Sequence, residues 1–256
     1  MATSQAHTGN GSPLLLIHGF PHDRSLWKPQ LEGLGGDIRV IAPDLRGFGN
    51  STEVPDIMTM DAYASDLKEL LDQLGVQRAV ICGLSMGGYI ALAFLANYPE
   101  VVHGLILCNT RSGADDEKGR AGRYATAKKA RDEGMENIAE GMVPKMITEA
   151  TATAHPERRA AVKDLMARQR PTAVIAALRG MAARPDRTPM LATIKVPTLI
   201  ITGSKDELIL PEESEAMAAA IPESKLVIIP DVAHLSNVED PDAFNKVVRE
   251  FVLGLE

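Results

Sequence analysis

Gly83-Leu84-Ser85-Met86-Gly87-Gly88 decides how this chain is read. It follows the apolar run Ala79-Val80-Ile81-Cys82, which predicts a buried parallel strand. It precedes the run from Tyr89 to Ala96, which predicts a helix ending before Pro99. A Gly-x-Ser-x-Gly turn between strand and helix is the pattern of a nucleophile elbow. So sharp a turn strains the serine backbone, and Gly83 and Gly87 lack the β-carbons that would clash in it. Ser85 is then presented at the carboxyl edge of the sheet, where the Met86 amide can donate to a developing oxyanion. The alternative is a phosphate cradle, but that needs Gly-Lys-Ser/Thr or Gly-x-Gly-x-x-Gly, and the stretch has neither.

Upstream, Pro13 opens the buried-strand run Leu14-Leu15-Leu16-Ile17, which ends in His18-Gly19-Phe20-Pro21. The Phe20 amide is the candidate second oxyanion donor. His18 is expected to be structural, hydrogen-bonded beneath the turn, and Trp27 to be packing. The strand Arg39–Ala42 leads into a glycine-rich loop in which Asp44 and Arg46 are expected to pair. Apolar residues at Tyr63, Leu67, Leu70, Leu71 and Leu74 mark one helical face, stopped by Gly75. Val102–Cys108 is another strand. This alternation predicts an α/β fold: a mostly parallel sheet with helices on both faces.

The pattern breaks at residue 112. Residues 112–190 show no strand signal, and helices are expected at Asp115–Glu133, His155–Gln169 and from Pro171 to before Pro185. Six of the eleven methionines lie there. Methionine is adaptable and apolar, so such a cap can line a substrate pocket, with Met135, Met142 and Met146 as candidate contacts; mutual packing of the helices is the equal alternative. Strands then return at Val196–Thr202 and Lys225–Ile229, with helices from Pro211 to about Ile221 and from about Pro241 to Leu253. The expected organisation is a loose polar tail over 1–12, an α/β core over 13–111 and 191–256, and a helical cap over 112–190.

Composition narrows the function. The 256 residues suit one α/β domain with an insertion, and a net charge of −7 argues against nucleic acid or a polybasic membrane role. No apolar run is long enough to span a membrane and no signal-peptide core is visible, so the cytoplasm is the default expectation. Cys82 and Cys108 read as buried free thiols, without Cys-x-x-Cys spacing. No metal or cofactor is expected.

A serine hydroxyl needs a base within hydrogen-bond reach, and that base needs an orienting acid. Parallel strands deliver their C-terminal loops to one edge, and three such loops carry Ser85, Asp206 and His234. The order Ser, Asp, His is the one expected for this architecture. His7, His103 and His155 are poorly placed; His22 follows the oxyanion loop and could touch substrate. Asp231 and Glu207 are the neighbouring carboxylates. The loop after the strand Val102–Cys108 offers Asn109, so the acid is not expected there.

With these residues assembled, the chain from Pro13 onward resembles the α/β-hydrolase superfamily. The resemblance rests on His18-Gly19-Phe20-Pro21, Asp44-Leu45-Arg46-Gly47-Phe48-Gly49, the Ser85 elbow, Gly203-Ser204-Lys205-Asp206 and His234-Leu235-Ser236-Asn237. The last stretch, through Glu239-Asp240-Pro241, is most similar to 3-oxoadipate enol-lactonases and related small esterases. Phe48 departs from the histidine of many relatives. The short N-terminus implies a shortened sheet of about six parallel strands. The resemblance implies a cofactor-free serine esterase or lactonase acting on a small-molecule ester or lactone through an acyl-enzyme. It places the triad at Ser85, Asp206 and His234 and the oxyanion hole at Phe20 and Met86. Alternatives on the same residues are carbon–carbon bond hydrolysis, perhydrolysis, or a non-catalytic ligand receptor; a serine rather than aspartate nucleophile disfavours dehalogenase and epoxide-hydrolase chemistry.

Overall fold

Almost continuous apolar runs suit strands covered on both faces, and that is how these strands are used. The computed structural model describes residues 5–51 and 54–255. Strands β1 (Gln5–Thr8) and β2 (Ser12–Ile17) precede a 3-10 turn at Arg24–Trp27, helix α1 (Lys28–Leu34) and β3 (Ile38–Pro43). Next come α2 (Met60–Gln73), β4 (Ala79–Leu84), α3 (Met86–Asn97) and β5 (Val102–Cys108). The helices α4 (Glu117–Glu133), α5 (Met135–Met146), α6 (Glu149–Ala154), α7 (Pro156–Ala167) and α8 (Pro171–Ala182) follow without a strand. The chain closes through β6 (Thr198–Gly203), α9 (Pro211–Ala220), β7 (Ser224–Ile229), α10 (Ser236–Glu239) and α11 (Pro241–Leu253).

The sheet order is β1-β3-β2-β4-β5-β6-β7. All neighbours are parallel except β1, which runs antiparallel to β3. Alternate residues of β2 serve opposite layers. Leu15 and Ile17 join Tyr63, Leu67 and Phe94 of α2 and α3. Leu14 and Leu16 join Trp27, Phe244 and Val248 of the α1 and α11 side. The order reverses at β2, with β3 on one side and β4 on the other, and such a switch point opens a crevice at the strand ends. Ile17 pairs with Gly83, Leu84 with Cys108 and Cys108 with Ile201, so the loops that follow start at one level.

The structure changes several expectations. The stretch expected as a loose tail carries β1 and the start of β2. The pairs Ala6–Ala42 and Thr8–Val40 cover the free edge of β3, which requires only backbone groups and so leaves little trace in a polar sequence. Residues 1–4 of that stretch lie outside the described residues. Asp44 and Arg46 do not pair with each other. Asp44 accepts from the amides of Arg24 (2.9 Å) and Asn50 (3.1 Å), while Arg46 pairs with Asp66. The helix expected from Asp115 starts at Glu117, because Asp116 caps it by accepting from the Gly119 amide at 2.6 Å. Helices α5 and α6 form where the sequence gives no separate helix expectation. Cys82 and Cys108 are free and buried, their sulfurs 3.8 Å apart. Among the described residues no helix is long and apolar enough to cross a membrane.

Candidate active site

The elbow forms because the backbone leaves room for nothing larger. A β-carbon on Gly83 would stand 2.1 Å from the Gly87 carbonyl oxygen, and one on Gly87 would stand 2.2 Å from that of Ile17. Between them Ser85 adopts φ 55° and ψ −114°, a conformation that costs about 1–3 kcal/mol and persists only where its surroundings impose it. They do so through the Ser85 amide, which donates to Cys108 O at 2.9 Å. The Ser85 carbonyl accepts from Gly88 N (2.9 Å) and Thr110 Oγ1 (2.8 Å). Among the described residues the Phe20 and Met86 amides donate to no protein group. His18 is buried beneath this turn: Leu45 N donates to its Nε2 at 3.1 Å, so Nδ1 carries the proton and donates to Gly19 O at 2.9 Å.

Two strands from β4 the loop after β6 supplies Asp206, and one strand further the loop after β7 supplies His234. His234 Nδ1 lies 2.8 Å from Asp206 Oδ2, and both residues are buried. The amides of Leu208 and Ile209 donate to Asp206 Oδ1 at 2.9 and 3.0 Å, and Asn109 Nδ2 donates to Oδ2 at 2.9 Å. Burial opposes the carboxylate charge, but the charge and hydrogen bond of His234, with the Ile209 amide and Asn109, outweigh it and hold Asp206 below the usual carboxylate range. An ionised Asp206 accepts only, so His234 carries its proton on Nδ1. His234 Nε2 is buried without a hydrogen-bond partner among the described residues. In the neutral ring it is a bare lone pair. His22 is buried close by; desolvation by burial is the main cause that pushes it down to about 3, so it is uncharged at neutral pH.

A cavity of about 390 Å³ opens beside Ser85 and Phe20, and volumes of a few hundred Å³ suit small ligands. Met142, Met146, Met181 and Leu178 face it from the helices between β5 and β6, and Leu208 and Ile209 from the loop after Asp206. Asp206 and His234 do not line it. Met135 does not line it either: at the start of α5 it is buried, in the same apolar cluster as Ala127 and Ala130 of α4. Among the described residues no group of His, Cys, Asp or Glu could hold a metal ion.

Several working residues escaped the sequence. Asn109, at φ 45°, donates to both Asp206 Oδ2 and Ala233 O, and accepts from Ser236 Oγ at 2.8 Å. It ties Asp206 to the loop carrying His234. Its position at the end of β5 was visible, but an amide at a strand end has no distinctive signature. Glu239 is also nearly buried. It accepts from Ala233 N at 2.6 Å through one oxygen, and from Thr148 N and Oγ1 at 2.8 Å through the other. This carboxylate joins the His234 loop to the start of α6.

The family model described as alpha/beta hydrolase fold matches residues 12–241. A thermophilic esterase from Thermogutta terrifontis is 43% identical, with a TM-score of 0.97, covering 99% of this chain and 93% of that one. The enol-lactonase from Burkholderia xenovorans is 30% identical, with a TM-score of 0.92, covering 98% and 96%. RutD of Rhizobium rhizogenes, which bears a provisional carbamate hydrolase name, is 30% identical over 246 residues, covering 93% of this chain and 92% of its own.

Proposed function

We propose, for a chain that belongs to the α/β-hydrolase fold family, that it is a carboxylic ester hydrolase working through a Ser85–His234–Asp206 triad and an acyl-enzyme. The observation that carries the reading is the 2.8 Å pairing of His234 Nδ1 with Asp206, which leaves Nε2 unpartnered while a strained Ser85 faces a cavity. His234 Nε2 takes the Ser85 proton as Oγ attacks the ester carbonyl, and Asp206 stays ionised to stabilise the imidazolium. The Phe20 and Met86 amides receive the developing oxyanion; such donors are each worth about 3–4 kcal/mol elsewhere. Collapse expels the alcohol, which takes the proton back from His234. Water then enters, loses its proton to the same nitrogen and releases the acid. Met142 and Met146 supply the apolar surface for the acyl or alcohol part, and a lactone follows the same path without separating the two products.

The test is hydrolysis of p-nitrophenyl esters from acetate to dodecanoate by wild type and Ser85→Ala. Turnover falling on the order of 10⁶ in the variant supports the reading. Equal rates in the two proteins overturn it. The likeness to RutD favours carbamates as a second acyl class for the same serine, read by the same variant.

A further inference from the structure

The oxyanion loop carries a histidine that the triad mechanism leaves unused. Phe20, which lines the cavity with Ser85, is followed by Pro21 and then by His22. This loop lies directly on the elbow: a β-carbon on Gly19 would stand 3.4 Å from the Ser85 β-carbon and 3.2 Å from Leu84 O. The His22 amide closes a turn onto Gly19 O at 3.1 Å, which keeps the residue beside that contact. Its side chain is fully buried and does not line the cavity, so it is set apart from the space that takes the acyl group. A buried imidazole is ordinarily hydrogen-bonded, as His18 is to Leu45 N and Gly19 O. Neither Nδ1 nor Nε2 of His22 has a partner among the described residues. Gly19 O, on the same loop, already accepts from His18 Nδ1 and from the His22 amide.

Leaving a buried polar group unpaired costs about 1–3 kcal/mol, a cost that an apolar ring of the same shape avoids. Burial keeps the ring uncharged at neutral pH, so it offers one N–H donor and one lone pair. That set suits a water molecule, which both donates and accepts, and suits an anion poorly. A third buried and unpartnered nitrogen, His234 Nε2, belongs to the same neighbourhood, near enough for the two rings to repel each other when protonated. Resting on the hydrolase reading, we propose that His22 is a positioning residue for the second half of the reaction: its ring nitrogens hold the water that hydrolyses the acyl-enzyme and present it to His234 Nε2. Once the alcohol has left, the oxygen of that water bonds to the acyl carbon while its proton passes to His234 Nε2. The carbonyl electron pair moves onto the oxygen facing the Phe20 and Met86 amides. The pair then returns, the bond from carbon to Ser85 Oγ breaks, and His234 gives its proton to Oγ, which releases the acid and restores the enzyme. Attack of Ser85 on the ester uses no water, so His22 acts on deacylation alone.

The experiment separates the two half reactions with p-nitrophenyl acetate. Its good leaving group makes acylation fast, so kcat reports attack by water while kcat/KM reports acylation. Stopped-flow release of nitrophenolate and intact mass at steady state are compared in wild type, Ser85→Ala, His22→Phe, His22→Leu and His22→Gln. His22→Phe and His22→Leu are expected to lower kcat about tenfold or more and KM in proportion, leaving kcat/KM within about twofold of wild type. Both should show a stoichiometric nitrophenolate burst and a persistent acetyl adduct. His22→Gln, which keeps a donor and an acceptor, should recover much of the lost kcat. Phenylalanine keeps the ring shape and carries the test if the leucine variant fails to fold. An equal fall in kcat and kcat/KM, an unchanged kcat in both apolar variants, or failure of all three variants to fold overturns the role in deacylation and leaves the hydrolase standing. No Ser85-dependent nitrophenolate release by wild type overturns the hydrolase reading as well.

Discussion

The sheet edge and the helices facing it across the cavity are built by opposite means. At the edge, backbone geometry does the positioning: Ser85 sits at φ 55° between glycines that admit no β-carbon, and two amides plus Asn109 fix Asp206. On the helical side, side chains do it. Met142, Met146, Arg123 and Lys145 project from α4 and α5, which hang on ion pairs such as Asp115 with its three arginines and Lys163 with Glu136 and Glu140. Backbone placement is exact but cannot be varied by single substitutions. Side-chain placement tolerates substitution, so the reacting half of such a site is rigid and the binding half is adjustable.

The largest effect should come from the rigid half. Asp206→Asn keeps the shape but removes the charge that holds the His234 tautomer, and a loss of about 10⁴ in kcat is expected from steady-state ester hydrolysis. Asp115→Ala attacks the other half through stability. It leaves three guanidinium groups facing one another, and loss of one partner in a buried ion cluster costs about 3–5 kcal/mol, read as a lower denaturant midpoint. The pH dependence has a definite sign. Burial raises the Asp115 carboxyl, but Arg184 and Arg123 hold it well below the usual range in the folded protein. Its stabilisation is therefore complete above its unfolded value, about 4, and is lost as pH falls from there toward the folded value. Asp115→Asn should lose stability with acid less steeply than wild type.

Glu239 sits on the seam between the halves, and Leu235 N donates to Met146 O at 2.8 Å beside it. Glu239→Ala strands the Ala233 and Thr148 amides. About 1–3 kcal/mol should go, with kcat falling about tenfold and KM nearly fixed, because the loop carrying His234 loosens. The smallest effect is expected on the adjustable wall. Met142→Ala should change kcat/KM only a few-fold while moving the preferred acyl length upward, as a cavity is enlarged rather than a catalytic group lost.

The same contrast governs what could be read from the sequence. Elements set by local pattern are legible: Val102–Cys108 and Pro241–Leu253 have their expected limits, because an unbroken apolar run and an amphipathic face each specify one structure. Ser85, Asp206 and His234 follow strand ends as the sequence pattern places them, and Asp206 and His234 meet there at 2.8 Å. Helix α5 was hidden by Gly134, Gly141 and Pro144. Pro144 lies in its last turns, and Ile138, Ala139, Val143 and Met146 bury enough apolar surface to hold it. Met135 and Met142 look alike in sequence, yet one is buried in the core cluster and the other lines the cavity. Asn109, Glu239 and the arginines around Asp115 depend on contacts between residues far apart in the chain, which no local pattern records.

The central claim is that His234 and the elbow together make Ser85 nucleophilic. Its most direct test is labelling with a fluorophosphonate, read by intact mass and peptide mapping in wild type, Ser85→Ala and His234→Ala. A single adduct on the peptide containing Ser85, absent from Ser85→Ala and strongly slowed in His234→Ala, is the predicted result. An adduct on another residue, or labelling of Ser85 at an unchanged rate without His234, contradicts the account.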